Sequence, residues 1–190
     1  MRKLVSAAGL LLLLPFALMA QETPQAELFT GFSYLRMQKT NNVGWDAAIQ
    51  GNINKHLGIV GDASGYYNSQ TQTVSGVQSS ISGSIHSILG GLQVADPAGR
   101  WTPYAQALFG WARVHSDVAL NNTRGVILAN TNSANAFAAK LGGGIDFNLN
   151  SSVDIRMIQA DYMLIRSNGQ KQQGGSISAG LVFRLGKKKQ

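Results

Sequence analysis

Trp45-Asp46-Ala47-Ala48-Ile49-Gln50-Gly51-Asn52-Ile53-Asn54 is the stretch on which the reading of this chain turns. Taken with period two, Trp45, Ala47, Ile49, Gly51 and Ile53 fall on one face, and Asp46, Ala48, Gln50, Asn52 and Asn54 on the other. A strand is the only regular element with that period, because successive side chains leave opposite sides of the pleat. At about ten residues the stretch also has the length that a tilted strand needs to cross a bilayer.

Working outward, the same pattern recurs. Eight strands are expected over residues 27–37, 43–54, 57–67, 84–95, 101–114, 135–148, 153–165 and 174–186. In the seventh the alternation slips: Asp154 and Arg156 share one parity, Gln159 and Asp161 the other. A β-bulge near Met157-Ile158 restores one continuous polar face. The connections near Lys55-His56, at Asp96-Pro97-Ala98-Gly99 and at 149–152 are short. Those at 68–83 and 115–133 are long, rich in Ser, Thr, Asn and Gln, and read as loops. Short turns on one side and long polar connections on the other are the pattern of a transmembrane β-barrel.

The aromatic residues sort by depth in the same frame. Tyr34, Trp45, Tyr67, Trp111, Phe137 and Tyr162 fall at strand ends next to the longer connections, and Trp101, Phe147 and Phe183 near the turns. Two such belts are expected where a barrel meets the two membrane interfaces. Charged residues make up 13% of the chain, about half the usual share, too few for the outer faces of a water-soluble barrel. The expected fold is therefore all-β, an eight-stranded antiparallel up-and-down transmembrane β-barrel over 27–186.

The first residues read as a signal for export. Met1-Arg2-Lys3 is a positive start, Leu4 to Leu18 an apolar run, and Met19-Ala20 a small-residue ending suited to cleavage before Gln21. The expected organisation is a signal peptide at 1–20, a short segment at 21–26, the barrel, and a basic tail at 187–190. The 190 residues include no cysteine, so neither a disulfide nor a thiolate metal site is available. The net charge of +7 falls to about +2 once the leader and tail cations are set aside. No run of basic residues interleaved with aromatics remains, which argues against nucleic-acid binding.

Three stretches carry a family resemblance: Phe29-Thr30-Gly31-Phe32-Ser33-Tyr34, Pro103-Tyr104-Ala105-Gln106-Ala107-Leu108-Phe109-Gly110 and Gly142-Gly143-Gly144-Ile145-Asp146. In order and spacing they resemble the small eight-stranded OmpA/OmpX-type outer-membrane barrels across nearly all of 27–186. The ending Ser178-Ala179-Gly180-Leu181-Val182-Phe183-Arg184-Leu185 is similar to the signal by which such barrels are recognised for assembly. The resemblance implies location in a bacterial outer membrane, contact with its lipids, and recognition of the last strand by the barrel-assembly machinery. It also implies an extracellular ligand met through the loops. The peptidoglycan-binding domain that often follows an OmpA barrel is not expected here.

Candidate chemistry gathers on the polar faces: Asp46, Asp62, Lys140, Asp146, Asp154, Arg156, Asp161 and Arg184. An eight-stranded barrel has an interior just wide enough for side chains to fill, and opposite charges there should pair, since isolated buried ions are very costly. The expectation is a polar network that plugs the lumen, with Lys140 and Arg156 among Asp62, Asp146, Asp154 and Asp161, and Arg184 closing the ring between the last strand and the first. A small channel is the alternative. Asp154 and Asp161 as a catalytic pair are better explained as ion-pair partners. His56, His86 and His115 have no metal-ligand spacing, and His115-Ser116-Asp117 are sequence neighbours, whereas a catalytic triad comes from separated segments. A loop-borne enzyme site is the least favoured reading. No cofactor, metal or catalytic residue is expected.

Overall fold

The computed structural model describes residues 25–38, 40–74, 77–122, 125–167 and 170–186. The signal peptide at 1–20, its cleavage before Gln21 and the basic tail at 187–190 lie outside the described residues. Eight strands follow one another: β1 (Ala26–Met37), β2 (Thr40–Asn52), β3 (Leu57–Val74), β4 (Val77–Ala95), β5 (Trp101–Asn122), β6 (Gly125–Asn148), β7 (Val153–Ser167) and β8 (Gln170–Leu185). Each pairs antiparallel with its neighbour, and β8 returns to β1, from Ala26 opposite Leu185 to Met37 opposite Gly174. The sheet is a closed barrel and has no edge within the staves.

Alternation fixes which residues face inward. On β2, Asp46 and Gln50 are buried while Trp45 and Ile49 are exposed. The same holds around the barrel: Leu28, Phe32, Ile59, Phe109, Leu141, Ile145 and Leu181 stand on the outer wall. The turns are built by side chains that bond the backbone. Asn54 Oδ1 accepts from the N–H groups of His56 and Leu57, and Asn150 Oδ1 from those of Ser152 and Val153, so each asparagine closes its own turn. Gly99, with φ of 66°, supplies the left-handed residue of the third turn.

The long polar connections differ from the sequence expectation. Residues 68–83 and 115–133 are not loops but continue the strands. Asn68 pairs with Gly83 and the ladder runs on to Val74 opposite Val77. Ser116 pairs with Asn132, and the β5–β6 ladder reaches Asn122 opposite Gly125. Gln78 opposite Asn121 ties the two hairpins together. β2 joins β3 only from Val43–Tyr67 inward, and β7 joins β6 only from Phe137–Arg166 inward. A four-stranded sheet thus rises beyond the rim on one side of the barrel. Polarity hid it because ladder bonds join backbone to backbone and need no apolar side chain; apolar alternation marks only the stretch whose outer face is apolar.

The bulge lies where the parity slip in β7 places it. Asp146 pairs with Arg156 and Ile145 with Ile158, so Met157 is an extra residue against β6. On the other side Arg156 pairs with Gly180 and Gln159 with Ser178, leaving Met157 and Ile158 together opposite Ala179. Both extra side chains face outward, and Asp154, Arg156, Gln159 and Asp161 all point inward as a result. Deleting Met157 alone should remove the bulge and leave Gln159 and Asp161 on the inner face, keeping the compact, heat-modifiable gel band, whereas deleting Met157 and Ile158 together should turn both toward the outer wall and abolish that band. Met157→Leu should keep it.

Candidate functional site

Among the described residues, charged and hydrogen-bonding side chains gather most densely in the interior. Asp46, Asp62, Lys140, Asp146, Asp154, Arg156 and Asp161 are all buried inside the barrel, and Arg184 is half-buried at its end. Lys140 is 1% exposed. Its strand neighbours in register are Leu108 and Met163, both buried, which keeps water from its stem. Its Nζ donates to Asp62 Oδ1 at 2.8 Å and to Asp46 Oδ2 at 3.5 Å. Arg156 donates through Nε and Nη2 to both oxygens of Asp146, at 2.8 and 3.0 Å. Its guanidinium lies between the rings of Phe29 and Tyr104, 4.3 and 4.4 Å from their centroids, a cation–π sandwich that holds the fork in plane.

Gln159 joins these two clusters and was not singled out from the sequence. Its Oε1 accepts from Arg156 Nη1 at 2.7 Å and from Tyr104 Oη at 2.8 Å. Its Nε2 donates to Asp161 Oδ2 at 2.7 Å and to Asp46 Oδ2 at 3.4 Å. Two acceptors and two donors are all that a carboxamide has, so Gln159 is saturated. Among the described residues Asp161 meets no cation: Gln106 Nε2 supplies its other oxygen at 2.9 Å. Ser178 donates to Asp46 at 3.3 Å and meets Ser33 at 2.7 Å, which reaches Tyr66. Side chains of β1, β2, β3, β5, β6, β7 and β8 therefore form one connected web. Its neutral members carry the sequence signal of inward parity, yet a buried Gln or Ser reads no differently from a solvated one until closure shows what faces it. Gly144 belongs to this design, since a Cβ there would lie 2.7 Å from Tyr104 Oη.

Two expectations about the ring are corrected. Arg184 does not close the central network; its Nη2 pairs with Asp154 Oδ2 at 2.7 Å, at the turn-side mouth. Asp154 consequently pairs with Arg184 and not with Arg156. The strands tilt, so residues equally far along their own strands end at different depths, and β7 places Asp154 outside the level of Asp146 and Asp161. This mouth opens into a cavity of about 700 Å³ lined by Glu27, Gln50, Lys55, Asp146, Asp154 and Arg184 among others.

The lumen is also less polar than expected. Toward the hairpin side, Leu35, Met37, Tyr66, Ile85, Ala112, Ala136, Ala138, Met163 and Ile165 pack into a buried cluster. The polar web is thus covered by a dry apolar layer. These residues carry the inward parity of their strands, but apolar side chains at the far end of a strand read as membrane-facing until the register is known.

Outside, the aromatic residues lie near the two ends of the wall. Trp111 pairs with Phe137, and Trp101 with Phe147 at 4.7 Å between ring centroids. Tyr34, Trp45, Tyr67 and Tyr162 stand on the outer faces of β1, β2, β3 and β7, and Phe183 pairs with Leu28 and Val153. Of the histidines, His56 lies in a turn, while His86 stands beside Arg113 on the outer face. Ser116 points to the face opposite that of His115 and Asp117, as alternate residues of a strand must.

Removing one member of the dry web should be costly. Lys140→Met leaves Asp46 and Asp62 facing each other and should destabilise the folded barrel by about 3–5 kcal/mol in urea unfolding from vesicles. The Lys140→Met, Asp62→Leu double variant should recover part of that loss. Unchanged stability in Lys140→Met would refute a dry pair.

No protein-family model matches the chain, and no curated protein matches it in sequence. Solved structures do. One is the crystal structure of Ail, the attachment invasion locus protein of Yersinia pestis, in complex with the heparin analogue sucrose octasulfate. It is 15% identical, covers 83% of this chain and 96% of its own, and gives a TM-score of 0.53. Another is the outer membrane protein OprG from Pseudomonas aeruginosa, 10% identical over 87% of this chain and 97% of its own, with a TM-score of 0.50. At these identities the likeness speaks for architecture, and it agrees with the pairing described above: this chain has the closed eight-stranded antiparallel fold of the small outer-membrane β-barrels.

Proposed function

We propose that this chain is a non-enzymatic barrel embedded in a bacterial outer membrane, with a closed lumen and long hairpins that make surface contacts. The observation that carries this reading is its inverted polarity. The outer wall presents Phe109 at 64%, Leu141 at 65% and Ile88 at 68% exposure, while Lys140 and five aspartates are sealed inside. In water that arrangement would forfeit about 1.5–3 kcal/mol for each large apolar side chain left outside. In lipid the outer wall is matched to its solvent, and closure of the ladder leaves no open sheet edge in the staves.

The closed lumen follows from the web and the apolar layer above it. An interior of this width has no room for both packed side chains and a file of water, so the channel reading is the weaker one. The hairpins suit a hydrogen-bonding rather than an ionic partner: the sequence has no charged residue over 68–83, and over 116–132 it has Asp117 and Arg124, of opposite sign. β8, ending in Phe183 and Leu185, is the strand that the barrel-assembly machinery would recognise.

Fractionation and bilayer recording test the proposal. The chain should partition with outer membranes, run faster unboiled than boiled, and show no steady conductance in a planar bilayer. Leu141→Arg, near mid-wall, should cost about 2–4 kcal/mol, whereas Val43→Arg at the rim should cost at most about 1. Equal tolerance at both depths would argue for a water-facing wall, and a large stable current would overturn the closed lumen.

A further inference from the structure

We propose that the outer-rim groove along the β1–β8–β7 seam binds the phosphate of a lipid headgroup in the leaflet that the long hairpins face. The inference rests on the membrane-embedded reading above. Arg36, Gly175 and Tyr162 lie in one row across three strands, Arg36 opposite Gly175 and Gly175 opposite Tyr162. All three positions face outward, and the middle one has no side chain. A Cβ built at Gly175 would meet nothing closer than the Asp161 carbonyl oxygen, at 3.9 Å. The row is therefore a notch, with a guanidinium on one wall and a phenol ring on the other. Beside it, Gln173 accepts from Tyr162 Oη through Oε1 at 2.7 Å, which orients its amide NH₂ as a further donor. Two residues farther out, Lys171 stands opposite Arg166. The groove that Arg36, Lys171 and Gln173 line with Gly174 and Gly175 has a volume of about 810 Å³.

Charge and depth identify the occupant. No carboxylate lies within ion-pair distance of Arg36, Arg166 or Lys171 among the described residues. Two cations and an amide line a space with no anion, with Arg166 beside Lys171 on the next strand, a donor set suited to phosphate: a planar fork from arginine and a point charge from lysine. Arg36 is two residues, about 7 Å of strand, beyond Tyr34 on the same face, so it stands just outside the aromatic belt that marks the interface. The groove opens sideways from the wall, and on its inward side Phe32 and Ile177 are exposed at 62% and 53%. A lipid can satisfy both parts, its phosphate in the notch and its acyl chain along Phe32 and Ile177. A soluble anion uses only the first.

The test titrates the purified full chain in detergent micelles with phosphatidic acid, phosphatidylcholine and inorganic phosphate, read by native mass spectrometry. Phosphatidic acid should be retained in preference to phosphatidylcholine. The Arg36→Gln, Lys171→Gln double variant should lose about twentyfold in affinity. Gly175→Val, which fills the notch and keeps every charge, should also weaken binding, while Lys55→Gln on the turn side should not. Equal retention of both lipids, or an unchanged double variant, would overturn the site. Inorganic phosphate binding as tightly as phosphatidic acid would assign the groove to a soluble anion and likewise overturn it. Heat-modifiable mobility, measured on each sample, separates the two readings. A folded, membrane-recovered wild type without lipid preference sinks the headgroup site alone, and a chain never recovered in membranes sinks both.

Discussion

Inside a bilayer a strand has no water to bond, so every backbone N–H and C=O must find a partner in a neighbouring strand. The pairing of β1 with β8 meets that demand for the last open edge, and the other features follow from it. Closure at eight strands fixes an interior that side chains alone can fill. It also divides every strand into an exposed outer wall and a core that solvent cannot reach.

That division sorts the charges. Asp46, Asp62, Asp146, Asp154 and Asp161 are drawn inside, where Lys140, Arg156 and Arg184 are too few to match them and neutral donors from Gln106, Gln159 and Ser178 add to the set. The outer rim is left with Arg36, Arg113, Arg166 and Lys171 against Asp117. A modest overall excess of positive charge therefore becomes a strongly one-signed surface. On the membrane-embedded reading proposed above, desolvation drives the sorting: an anion on the wall would meet hydrocarbon unpaired, whereas one inside meets donors held by the strands.

The two halves of the lumen contribute differently. The web around Gln159 is directional, and it locks the side chains of several strands in one arrangement because the Gln159 amide at its centre is saturated. The layer around Leu35, Met163 and Ile165 is not directional, but it excludes water from the hairpin side and so raises the cost of opening the web. Above the rim, the hairpins of β3–β4 and β5–β6 are held by the backbone ladder.

Much of this was legible in the chain itself. Period-two alternation over ten-residue stretches, the parity slip at Met157-Ile158 and the turn residues at 96–99 determine strand number, bulge and turns, because they depend only on local geometry and on which solvent each face meets. The ion-pair partners were legible as a set but not as pairs: strand tilt and register give Asp146 to Arg156 and send Arg184 to Asp154. The hairpin extensions were hidden because backbone pairing leaves no mark in polar sequence. The basic rim was hidden for a different reason. Arg36 and Lys171 are separated by nearly the whole barrel in the chain, and only the closing of β8 onto β1 sets them on one groove, since a contact between the first and last strands is a property of the closed sheet and of no segment in it.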